Sequence, residues 1–159
     1  MAMVDDHFLD ADTGPDVDTL LLIVVGAHLR AEQIDRPMAY ALAEQIEDWQ
    51  RQHVEADRLT PLVCSDLWYL NAVELLSRPT ICLGRPGVNA ATAYFANRLP
   101  TAFVVEQMFQ VQLDLEYITM QACVWGVNAG ATASGMEIFE QRYLDSFLRS
   151  AHGMPTQPA

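Results

Sequence analysis

Four junctions in this 159-residue chain gather residue types that can do chemistry. Each follows an apolar run: Gly26-Ala27-His28-Leu29-Arg30, Cys64-Ser65-Asp66-Leu67-Trp68, Gly84-Arg85-Pro86-Gly87-Val88-Asn89 and Trp125-Gly126-Val127-Asn128. His28 and Asp66 are the candidates for acid–base work. A carboxylate can fix the tautomer of a histidine and hold its imidazolium, which a general base requires. Such a pair would suit a small hydrolase or transferase. Each residue also has a plain role, His28 on a surface loop and Asp66 as a helix cap. Ser65 offers a hydroxyl, but no G-x-S-x-G sequence surrounds it.

Two of the junctions echo each other. Gly87-Val88-Asn89-Ala90-Ala91-Thr92 resembles Gly126-Val127-Asn128-Ala129-Gly130-Ala131-Thr132, with one inserted glycine. Asparagine caps helices because its side-chain oxygen accepts a free backbone N–H of the first turn. Small residues around it leave the helix N-terminus open to an anion. The ligand-binding set expected on this basis is Gly26, Arg85, Gly87, Asn89, Thr92, Gly126, Asn128 and Thr132. Its ligand would be a small anion, with Arg85 supplying a cation.

Composition removes several alternatives. All 9 basic residues are arginine, so Schiff-base, Walker A and Ser-Lys chemistry is excluded. Gly84-x-x-Gly87 is not a dinucleotide fingerprint, and no motif indicates a cofactor. The four histidines show no paired spacing, so no metal site is expected. A formal charge of −12 repels a phosphate backbone, so nucleic acid is not an expected partner. The longest apolar stretch, Leu20 to Val25, falls far short of the ~20 residues that span a bilayer, and no membrane partner is expected. Cys64, Cys82 and Cys123 form no CxxC pair and fall in apolar runs, where they read as reduced core residues. With no secretory signal at the N-terminus, a cytoplasmic location is expected.

These junctions need a scaffold that brings them together. Thr19–Val25 is a continuous β-branched and leucine-rich run, as in a strand covered on both faces. Further strands are expected at 62–65, 80–83, 102–105 and 118–125. Helices are expected over 37–53, 90–98 and 132–150, with a shorter one at 71–77. The first begins at Pro37, and the last carries the stripe Met136, Phe139, Tyr143 and Phe147. The alternation predicts an α/β fold: a three-layer, mostly parallel sheet, Rossmann-like or flavodoxin-like, with helices on both faces and an antiparallel segment near 103–120. In such sheets ligands bind outside the carboxyl ends of the strands, where all four junctions fall. The expected organisation is a single domain over 19–152, an acidic tail over 1–18 and a short tail over 153–159. Val111, Leu113 and Leu115 alternate with Gln110, Gln112 and Asp114, which reads as an edge strand with one wet face. Such an edge can pair with its own copy, so a homodimer is expected, and a purely structural homo-oligomer is the third functional class.

Overall fold

The computed structural model describes residues 16–156. Most of the expected acidic tail, residues 1–15, and the end of the C-terminal tail, residues 157–159, lie outside the described residues. The described residues form a six-stranded mixed sheet with helices. The elements run β1 (Leu20–Val25), α1 (Arg36–His53), β2 (Thr60–Ser65), α2 (Asp66–Asn71), β3 (Thr80–Leu83), α3 (Ala90–Ala96), β4 (Thr101–Val105), β5 (Phe109–Leu113), β6 (Gln121–Gly126), α4 (Ala129–Arg142) and α5 (Leu144–Ala151). The strand order is β2-β1-β3-β6-β5-β4. Strands β2, β1, β3 and β6 are parallel, and β5 and β4 extend the sheet by antiparallel pairing.

The six residues of β1 are all buried, because neighbours cover both of its faces. Leu21, Ile23 and Val25 join one apolar cluster with Leu42 and Ile46 of α1, Phe139 of α4 and Phe147 of α5. Leu20, Leu22 and Val24 join another with Tyr69 of α2 and Phe95 of α3. The alternation of side chains along a strand accounts for this division. The chain steps one way from β1 to β2 and back across β1 to reach β3, and alternate residues of β1 join the cluster that includes α1 or the one that includes α2. Cys64, Cys82 and Cys123 occupy matching registers on three strands of the second face, free and buried. Burial pushes the Cys64 thiol up to about 12, so it packs as a small hydrophobe.

Three expectations need correction. The short helix expected over 71–77 begins earlier: Asp66–Asn71 form α2, whose first turn is capped by Ser65 Oγ accepting from Trp68 N–H at 3.3 Å, and Val73–Ser77 form only a 3-10 turn. The single helix expected over 132–150 is two: Tyr143 leaves helical geometry at φ −125°, and its hydroxyl donates to the Ala102 carbonyl at 3.3 Å. The supposed edge strand is interior, since β5 lies between β4 and β6. Its polar alternation misleads because Gln112 is buried. The Gln112 amide donates to the carbonyls of Ala96 and Leu99 at 2.9 and 3.2 Å, satisfying groups left open at the end of α3. The antiparallel edge of the sheet is β4.

Candidate functional site

The carboxyl ends of the parallel strands share one edge of the sheet, and the loops leaving them converge there. Asp66, at the end of β2, is buried and spends its carboxylate on backbone N–H groups. Oδ1 accepts from Ala27 and Leu67 at 3.1 and 2.8 Å, and Oδ2 accepts from Ala90 at 2.7 Å. One side chain thus ties the β1 loop and the first turns of α2 and α3 together. His28 is exposed, and its Nδ1 accepts from Arg30 N–H at 3.3 Å. No hydrogen bond joins His28 to Asp66 among the described residues.

Asn89 is the second tie. It is fully buried. Its Nδ2 donates to the carbonyls of Val24 and Leu83 at 3.0 and 2.8 Å, while its Oδ1 accepts from Ala91 and Thr92 N–H. It therefore caps α3 and closes the ends of β1 and β3 together. Gly26 lies beneath the same loop: a Cβ there would stand 1.9 Å from the Val88 carbonyl oxygen. The chain reverses its winding between β1 and β3, where an open sheet usually offers a crevice. Here the 84–89 loop fills that crevice.

The open space lies one strand further along. A cavity of about 330 Å³ is lined by the loops after β1, β3 and β6 and by the first turn of α4. Of the expected ligand-binding set, Arg85, Gly126, Asn128 and Thr132 line it. Gly26, Gly87, Asn89 and Thr92 are not among its walls. Gly87 is exposed, and Thr92 is buried with no partner for its hydroxyl among the described residues.

The first turn of α4 is built for close approach. Asn128 Oδ1 accepts from Ala131 N–H at 2.9 Å. Thr132 Oγ1 donates to the Asn128 carbonyl and accepts from Gly126 N–H, both at 3.1 Å. A Cβ on Gly126 would come within 2.6 Å of the Ala131 and Thr132 backbone, so only glycine lets the helix start this near the strand. Ala129 and Gly130, the first two helical residues, have no intrahelical acceptor for their N–H groups, and both line the cavity. Arg30 and Arg85 line it too, and neither forms an ion pair among the described residues.

The sequence reading missed Arg30, Gly84 and Asp35 in the cavity wall. Ala31–Asp35, which precede the helix expected from Pro37, form a wide π turn that runs into α1. That turn buries Ala31 and Asp35 and leaves the residues between them exposed. Asp35 faces Gly84 so closely that a Cβ on Gly84 would sit 2.7 Å from Asp35 Oδ2, and Gly84 has φ +104°. Burial pushes the Asp35 carboxyl up to about 6. Nothing in the sequence separates Asp35 from the other acids of the chain.

A second cavity, of about 500 Å³, lies at the opposite edge, with His53, Asp57 and His152 in its wall. The Nε2 of His152 meets Gln50 Oε1 at 2.9 Å, and Gln50 in turn bonds both backbone groups of Leu59. These contacts bind α1 to the start of β2 and the end of α5. Among the described residues no three metal-ligating side chains converge, and no helix is long and apolar enough to cross a membrane. No family model, no curated protein and no solved structure matches the chain.

Proposed function

We propose that this protein binds a small anionic molecule in the cavity at the carboxyl ends of β3 and β6. The observation that carries the reading is a convergence of positive sources on one space. The free N–H groups of Ala129 and Gly130 and the side chains of Arg30 and Arg85 line the same cavity. A helix N-terminus carries about half a positive charge, and its N–H groups point at whatever sits there. On a chain of net charge −12, such a focus offsets the general repulsion of anions. The two helix-bearing clusters on β1 support a three-layer, doubly wound arrangement of the flavodoxin-like kind, and three buried free cysteines suit a reducing, cytoplasmic setting. Calorimetric titration with phosphate, sulfate, acetate and nucleotides tests the reading. At least one should bind the wild type, and Arg85→Ala should weaken it about tenfold, as expected for loss of a charge-assisted contact. Failure of every anion to bind, or equal binding by the variant, contradicts it.

A second reading, a homodimer, is supported by the β4 edge. Val104 and Val105 on β4 and Met108 in the turn after it are exposed large hydrophobics. An exposed apolar edge strand offers unpaired backbone groups to a second copy. Sedimentation equilibrium at high micromolar concentration should show a dimer that Val104→Lys dissociates; a wild-type monomer contradicts this reading.

A further inference from the structure

The anion reading leaves one wall of the cavity unexplained. Asp35 is only 7% exposed, yet it lines the cavity and makes no capping hydrogen bond to its own helix. No other side chain or backbone N–H of the described residues makes a hydrogen bond to its carboxylate, and burial raises its proton affinity. An ionised carboxylate can only accept hydrogen bonds, so with no donor from the protein the largely buried Asp35 is left to donors that enter the cavity. The local backbone is shaped to hold it there. The π turn directs Asp35 inward, and Gly84, at φ +104°, leaves space for the carboxylate that any side chain would fill. A plain anion satisfies the α4 N-terminus and the two arginines, but it sets a second negative charge beside Asp35. A ligand with a cationic N–H donor at that end satisfies both walls.

Resting on the anion reading above, we propose that the cavity takes a small zwitterion. Its oxyanion sits on the N-terminus of α4 and the arginines, and its ammonium group sits on Asp35. The shared chemistry is an amine and an acid a few bonds apart, found both in amino acids and in amino phosphates. The cavity, about 330 Å³, is within the range of small-ligand sites.

Paired probes separate this proposal from the reading it rests on. L-Alanine and propionate share a carboxylate, and phosphoethanolamine and ethyl phosphate share a phosphate; in each pair only the first carries an amine. Calorimetry at pH 7.5 should show the amine-bearing member of at least one pair binding about tenfold or more tightly than its partner. Asp35→Asn should reduce that preference to within about threefold while leaving the amine-free anion bound at least as well as before. Circular dichroism of the variant checks that it is folded. If the amine-free member binds the wild type equally well, the zwitterion proposal fails and the anion reading stands. If neither member of either pair binds while another anion does, the zwitterion proposal fails and the anion reading stands; if no anion binds at all, both fail. A preference that survives in Asp35→Asn places the ammonium elsewhere and overturns the assignment of Asp35.

Discussion

The carbonyl oxygen of Val88 occupies the space where a side chain on Gly26 would begin, since a Cβ there would stand 1.9 Å from it. The loop after β3 therefore crosses directly over the end of β1, and the crevice at the winding reversal is closed by the protein's own backbone. Gly26→Ala forces backbone to move in a packed region and should destabilise by about 3 kcal/mol or more. Gly87 is the matched control in the same loop, because a Cβ there meets nothing within 4 Å. Gly87→Ala should change stability by less than about 1 kcal/mol, as expected where alanine fits without strain. Urea unfolding of both variants checks the pair, and equal losses would mean that the loop does not lie over Gly26.

Asn89 and Asn128 look alike in sequence but bear different loads. Asn128 serves α4 as an acceptor, whereas Asn89 also donates to the Val24 and Leu83 carbonyls. Aspartate caps a helix as well as asparagine but cannot donate. Asn128→Asp should therefore stay within about 0.5 kcal/mol of wild type, helped by the helix dipole. Asn89→Asp turns a buried carboxylate toward two carbonyl oxygens and should cost about 3 kcal/mol or more. Thermal unfolding of the two variants in parallel distinguishes these outcomes, and tolerance of Asn89→Asp would reduce Asn89 to a simple cap.

Asp35 gives stability a pH dependence of definite sign. Its carboxyl is held at about 6 in the folded protein, above the value of 3.8 ordinary for the side chain. Between these values the folded state binds more protons than the unfolded state, so stability falls as pH rises through the window and is level above it. A shift of this size converts to about 3 kcal/mol, and screening through the solvent-open cavity reduces that to about 1–2 kcal/mol. Asp35→Asn should remove this component, so its gain over wild type grows from pH 4 to 6 and then holds. Urea unfolding of both proteins across pH 4–8 measures the difference, and a difference that does not change with pH would contradict a buried, unpaired Asp35.

Phe139 lies at the centre of the core shared by α1, α4 and α5. It is fully buried and meets Phe147 edge-on, with ring centroids 6.1 Å apart. Phe139→Ala should destabilise by about 3–5 kcal/mol. A loss below about 1 kcal/mol in chemical denaturation would mean that the face is solvated.

The parts of the fold legible in the sequence are those where local pattern and tertiary setting agree. The run Thr19–Val25 announces a strand covered on both faces, and Pro37 with its 3.6-residue stripe announces α1; the structure has β1 at Leu20–Val25 and α1 at Arg36–His53. Gln112 reads as a solvent-facing residue because its type is polar, yet the end of α3 supplies it with buried partners. No local pattern carries that information. The carboxyl-edge junctions were legible because glycine, asparagine and arginine mark places where backbone must turn or come close. Which of them face a cavity was not legible, since Asn89 is consumed in tying β1 to β3 while Asn128 borders open space. Asp35 was hidden for the same reason: its burial depends on a π turn and on a glycine 49 positions away in sequence.

The central claim is that the first turn of α4 holds an anion, and the backbone amides there report on it directly. In ¹⁵N-labelled protein titrated with the tightest-binding anion of the calorimetric panel, the Ala129 and Gly130 amide resonances should move most, saturating with the calorimetric affinity. In Arg85→Ala the same resonances should move only at about tenfold higher concentration. Saturating shifts confined to residues away from the cavity, with Ala129 and Gly130 unmoved, would contradict the account.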